Sequence, residues 1–264
     1  IAVASRCDGC IAFHTNDALK AGANRGEITE ALGVAILMAG GPAMVYATHV
    51  LDAMDQQLGK LFDRIRNDAA LRNNTLILVM SDNGHEEGAG SAKPLRGAKT
   101  WLYEGGVRSP LIVWGPGLLT DVVVGSTNDT SILCAMDVNR SLYTITSTPL
   151  PEKIEFDGED LAATLLGSKK HSRSTPIFWR RPPDRPGTKQ QDNPDLAVRH
   201  ESWKYYVNYD GSDRQLYHLQ NDESETKNVI GGHSDTADQL HELVTEWNAT
   251  LPADAGDPTW KKSP

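Results

Sequence analysis

The run Thr75-Leu-Ile-Leu-Val-Met80 is short, continuous and apolar, and it stops abruptly on Ser81-Asp82-Asn83-Gly84. A run of that length without alternation predicts a strand buried on both faces, as in the parallel sheet of an α/β domain. Asp82 and Asn83 then stand side by side at the C-terminal tip of the strand, where open α/β sheets gather their ligands. Their oxygens suit a hard cation such as calcium or magnesium. The same Asp-Asn-Gly string also makes an ordinary Asx turn. A glycine-rich loop follows, and Leu111-Ile-Val-Trp114 is a second buried-strand candidate.

Upstream the texture is helical. Cys10 to Lys20 suits a helix that Gly22-Ala23 ends, and Asn24 with Glu27 predicts a capping box for the next. Ile28, Leu32, Ala35 and Ile36 follow as a buried stripe, and Val50, Met54, Leu58, Leu61, Phe62 and Ile65 as another to about Arg66. Downstream, 129–145 and 159–166 read as helices. From Thr175 the pattern alternates, predicting strands at Ile177-Phe178-Trp179, Ala197-Val198-Arg199, Trp203 to Tyr209 and Gln215 to Leu219. The arginine- and proline-rich 180–187 must be loop, and a helix at about 235–248 closes the pattern.

The chain is long enough, at 264 residues, for one large domain or two ordinary ones. A net charge of -9 argues against nucleic acid or an anionic membrane as partner. Residues 31–51 carry no charge over a length that could span a bilayer, but Gly40-Gly41-Pro42 interrupts them, so two buried helices meeting at a turn are expected instead. No membrane segment or signal peptide is expected within these residues. The opening Ile-Ala-Val-Ala-Ser-Arg-Cys reads as a cut rather than a natural start.

Three cysteines make no disulfide scaffold. Cys7, Cys10 and His14 fall at i, i+3 and i+7, one face at a helix start. Unpaired amides and the helix dipole there favour thiolate, and a histidine one turn on can relay a proton. Two buried cysteines with a surface histidine, or part of a zinc site, are the other readings of this spacing.

Cys7-Asp-Gly-Cys10-Ile-Ala-Phe-His14, with Ala18 to Ala23, Glu27 to Ala31 and Gly40-Gly-Pro42, resembles the alkylhydroperoxidase D-like/carboxymuconolactone decarboxylase family over about 1–50. That resemblance implies thiol–disulfide chemistry at Cys7 and Cys10, assisted by a glutamate on a preceding helix, which has no counterpart here. The Ser-Asp-Asn-Gly end, Leu95-Arg-Gly-Ala-Lys99 with Glu104-Gly-Gly-Val-Arg108-Ser-Pro110, the Ala53 to Gly59 helix, and Leu216-Tyr-His-Leu with Glu225 and Asn228 resemble the sulfatase family over about 51–264. That resemblance implies hydrolysis of a sulfate ester of a small molecule or glycan at a calcium site, with Asp82 and Asn83 as metal ligands and Lys99 on the sulfate oxygens. The family's nucleophile motif, Cys/Ser-x-Pro/Ala-x-Arg, occurs nowhere in the chain. Its N-terminal aspartate pair and upstream histidine also lack counterparts, so calcium site and activity are expected to be incomplete.

The fold class expected from these resemblances is α/β. A partial alkaline-phosphatase-like sheet occupies 51–165, with an antiparallel-sheet-plus-helix subdomain at 166–264 and an all-helical alkylhydroperoxidase D-like fragment at 1–50. A seam between two unrelated pieces is expected between Ala43 and Met54, with an exposed apolar sheet face and self-association as consequences. The remaining polar residues carry plainer expectations. His85 reads as a loop histidine, Arg96 as a structural or rim residue, and Glu104 and Arg108 as braces for the Gly105-Gly106 turn. Cys134 reads as packing, and Trp203, Tyr205 and Tyr209 as sheet core and edge.

Overall fold

Asn24 starts its helix as the sequence predicts. Its Oδ1 accepts the Glu27 amide at 3.0 Å, and the Glu27 carboxylate accepts the Asn24 amide at 2.8 Å. In this computed structural model, which describes Val3 and residues 8–39, 41–87, 90–119, 123–181 and 193–252, the box separates α1 (Asp8–Lys20) from α2 (Arg25–Ala39). The long α3 (Gly41–Asn67) carries Pro42 in its first turn, where a missing N–H costs nothing. Both earlier helices pack on α3, and Ile11, Ile28, Leu32 and Ile65 are buried. The stripe along α3 is only partly covered, since Leu58 and Leu61 remain 51% and 49% exposed. A short α4 (Ala69–Arg72) follows, capped by the Asp68 carboxylate. No described helix is long and apolar enough to cross a membrane.

Two compact units divide the chain, 1–76 with 115–118 and 77–114 with 119–264. In the second, β1 (Ile77–Met80) leads to α5 (Glu104–Val107) and β2 (Leu111–Trp114). These strands correct the expectation of a parallel strand buried on both faces. They pair antiparallel, Ile77 with Trp114 and Met80 with Leu111, and form a two-stranded sheet. Val79 and Ile112 are 49% and 59% exposed. A continuous apolar run reports the strand's composition; it does not report whether a second layer covers each face.

The next helix, α6 (Ala135–Ile145), begins six residues later than the pattern suggested. Side-chain hydrogen bonds set that boundary. Asn128 Oδ1 takes the amides of Thr130 and Ser131 in an Asx turn. The Asp137 carboxylate then accepts the Cys134 amide at 2.8 Å, fixing the helix start. Asp137 is also fully buried against Arg173, at 2.8 Å. After α7 (Ala162–Leu165), shorter than the predicted 159–166, comes the meander β3 (Ile177–Arg180), β4 (Leu196–His200), β5 (Trp203–Val207) and β6 (Gln215–His218). The loop expected at 180–187 lies, from Pro182 on, outside the described residues.

Period-two alternation makes this four-stranded antiparallel sheet two-faced. Leu196, Val198, Tyr205, Val207 and Leu216 pack on Ala237, Leu240 and Val244 of the closing α8 (Ser234–Thr250). Ala197, Tyr206 and Tyr217 point the other way and pack on Leu102 and Tyr103, in the loop that carries Lys99. The sheet is therefore the platform for that loop.

Candidate functional site

Gly84 and the Gly105-Gly106 pair meet where no side chain could stand. The Gly84 amide donates to the Gly106 carbonyl at 2.8 Å. A Cβ on Gly84 would lie 1.8 Å from the Gly105 oxygen, one on Gly105 2.4 Å from the Gly97 oxygen, and one on Gly106 2.2 Å from the Trp101 oxygen. The Lys99 amide donates to the His85 carbonyl at 2.8 Å, and the Gly105 amide to the Arg96 carbonyl at 2.6 Å. These bonds tie the turn after β1 to the loop from Arg96 to Gly106. Asp82, Asn83 and Lys99 thus ride on two segments that are hydrogen-bonded to each other.

Asp82 is exposed on its bend, and Asn83 and His85 are half-buried. The His85 Nδ1 is buried with no hydrogen-bond partner among the described residues. Lys99 Nζ stands 3.1 Å from Glu86 Oε2, both side chains about half exposed. The oxygens of Asp82 and Asn83 are the right donor type for calcium, but that ion takes six to eight. Among the described residues no group of three or more His, Cys, Asp or Glu could hold a metal. The pair fits part of a coordination shell and does not make one alone.

The redox candidates lie in the first unit. Cys10 is disulfide-bonded, whereas Cys134 in the second unit is a free thiol whose pKa burial pushes up. His14 is exposed on α1, edge-on to Phe13 at 5.4 Å. Cys7 lies outside the described residues.

A buried polar cluster beneath the Lys99 loop escaped the sequence reading. Glu104, at the start of α5 beside Gly105 and Gly106, is 2% exposed and bonds Lys204 Nζ at 2.6 Å and Arg199 Nη1 at 3.2 Å. Burial pushes its carboxyl up, but Lys204 and Arg199 outweigh that and hold it below the ordinary range. Arg108 pairs instead with Glu223 at 3.7 Å, half exposed. Glu225 is wholly buried. Its carboxylate accepts the Glu104 amide at 2.7 Å and the Tyr206 hydroxyl, and its carbonyl accepts Arg96 Nη1 at 3.2 Å. Burial raises the Glu225 carboxyl and drives the Tyr206 hydroxyl well up. Arg96 lies over the Tyr103 ring at 3.8 Å and reaches Tyr217. One signal was available in the alternation of β5, which turns Lys204 and Tyr206 inward together, away from the α8 face.

The model of the sulfatase family matches residues 29–144, and that of the carboxymuconolactone decarboxylase family matches residues 1–53. A sulfatase of Formosa agariphila is 29% identical over 224 residues, 79% of this chain and 39% of that protein. An N-acetylgalactosamine-6-O-sulfatase of Bacteroides thetaiotaomicron is 28% identical over 74% of this chain and 40% of its own length. A solved 6S-sulfatase of Bacteroides thetaiotaomicron superposes with a TM-score of 0.60 at 25% identity, over 78% of this chain and 45% of the other. The chain thus spans about two-fifths of the length of these curated relatives. Residues 29–144 are thus similar to the sulfatase family and residues 1–53 to the carboxymuconolactone decarboxylase family, and the fold is alkaline-phosphatase-like, α/β with small antiparallel sheets.

Proposed function

We propose that the second unit supplies the binding half of a sulfate-ester hydrolase site, in which Lys99 holds sulfate oxygens and Asp82 and Asn83 lend oxygens to calcium. The observation that carries this reading is the hydrogen-bonded knot of Gly84, Gly105 and Gly106, which fastens the segments bearing all three residues to each other. A compact ammonium held on a fixed loop is a preorganised partner for negative charge on a sulfate ester. Calcium, when bound, would supply further positive charge to the same oxygens. The proposed substrate is a sulfated small molecule or glycan, in line with the relative named for a sulfated amino sugar.

Binding and orientation are the whole of this chain's proposed part. No Cys/Ser-x-Pro/Ala-x-Arg string exists in its 264 residues to provide a nucleophile. Purified chain supplied with calcium and a formylglycine-generating enzyme is expected to turn over no aryl sulfate. Calcium-dependent hydrolysis above the enzyme-free rate would contradict the reading.

The proposed division is a redox-family fragment at 1–50, the sulfatase sheet portion at 51–165 and its C-terminal subdomain at 166–264. The two family matches overlap at 29–53, and α3 crosses the end of that overlap, from Gly41 on, which supports joining within a shared helix. A second reading assigns function to the first unit and is favoured by the disulfide at Cys10. There, Cys7 and Cys10 as dithiol would give two electrons and two protons to a peroxide, yielding a disulfide, an alcohol and water, with His14 relaying a proton. Alkylation and mass spectrometry after peroxide treatment test it; both thiols alkylated would refute it.

A further inference from the structure

Glu225 holds both ends of the loop that presents Lys99. At the entry end its carbonyl accepts Arg96 Nη1 at 3.2 Å; at the exit end its carboxylate accepts the Glu104 amide at 2.7 Å. Between those two residues the loop runs through Gly97 at φ +83° and Thr100 at φ +79°, a path with little intrinsic preference for itself. The Arg96 carbonyl closes on the Gly105 amide at 2.6 Å, completing the ring.

Glu225 is itself over-determined. It adopts φ +53°, a left-handed conformation unusual for a side chain of its size, while fully buried. Two locks hold the turn that carries it. On one side the Asp222 carboxylate accepts the amides of Thr226 and Lys227 at 2.9 Å. On the other, Asn228 Oδ1 accepts the amides of Leu216 and Ile230 at 3.0 and 3.1 Å, pinning the turn to β6. A three-residue step from Glu225 to Asn228 therefore joins the rigid sheet to the loop.

We propose that Glu225 is a positioning residue for oxyanion binding at Lys99: it transmits the rigidity of the sheet to the loop and fixes where the ammonium stands. This rests on the reading of Lys99 as the sulfate-holding cation. Burying a raised carboxyl beside a second carboxylate, Glu104, is a poor choice for stability alone. It is a sound choice for holding two loop ends to one point.

The test uses the full chain, inorganic sulfate as probe, and hydrogen exchange at the amides of Gly97 to Tyr103. Glu225→Ala should weaken sulfate about tenfold or more and speed exchange in that loop. Glu225→Gln, which keeps an acceptor for the Glu104 amide, should stay within about threefold of the parent. Val244→Ala, a core change in α8 on the opposite sheet face, should lower stability without moving sulfate affinity. Should Glu225→Ala fail to fold, Arg96→Leu opens the entry end alone and should weaken sulfate in the same direction. Sulfate affinity unchanged in Glu225→Ala, or in Arg96→Leu where that variant stands in, would overturn the proposal while leaving Lys99 in place. Equal affinity in parent and Lys99→Ala would instead remove the Lys99 reading, and the positioning role with it.

Discussion

Glu86 Oε2 lies 3.1 Å from Lys99 Nζ, so the cation proposed for sulfate already faces a carboxylate. Both side chains are about half exposed, and exposed pairs of this kind contribute roughly 0–1 kcal/mol. An incoming oxyanion must displace or share this partner. Glu86→Gln should accordingly raise sulfate affinity, by up to about fivefold. Titration at low and moderate salt checks this, and the gain should shrink as salt screens the pair.

Gly84→Ala should be among the more damaging small substitutions in the second unit. Its Cβ would fall 1.8 Å from the Gly105 carbonyl oxygen, and backbone cannot yield as a side-chain tip can. A loss of about 1–3 kcal/mol is expected, with faster exchange at the amides of Gly84 and Lys99. Urea denaturation and hydrogen exchange measure the two effects.

Lys204→Met removes the ammonium 2.6 Å from the Glu104 carboxylate in a fully buried setting. Glu104 keeps Arg199 at 3.2 Å, so the cost should fall below the about 3–5 kcal/mol typical of a buried charge left wholly unpaired. Replacing Glu104 by Gln in the same chain should recover part of that loss. A double-mutant cycle in urea reads the coupling.

Acid should destabilise the second unit. Glu159 works against its partial burial by accepting hydrogen bonds from Ser174 and Thr175, which bring its pKa down to about 2. A carboxyl lowered on folding contributes stability that is complete above its unfolded pKa and lost as pH falls toward the folded one. For Glu159 that window runs from about 4.5 down to about 2. Glu104, also lowered, acts in the same direction, whereas the raised Glu225 acts in the opposite one. Thermal melts of Glu159→Gln across this window should show a shallower fall than the parent.

Local signals in the sequence carried the elements better than their environment. The Asn24–Glu27 box and the four strands between Ile177 and His218 follow from capping chemistry and period-two alternation, and the structure has both. The partner and exposure of Ile77–Met80 did not follow, because pairing direction and covering layers depend on residues distant in sequence. The start of α6 was missed because Asn128 and Asp137 compete for backbone amides with their side chains. In the candidate site, Asp82, Asn83 and Lys99 stood out by family resemblance. Glu225 did not receive a role, since its partners Arg96, Glu104 and Tyr206 come together only once the sheet is formed.

Isothermal titration of inorganic sulfate into the full chain, beside Lys99→Ala, tests the central claim most directly. The parent should bind sulfate with an affinity that falls as salt rises, and Lys99→Ala should weaken it about tenfold or more, the loss of one charge-assisted contact. Sulfate affinity that is the same in both proteins would contradict the account.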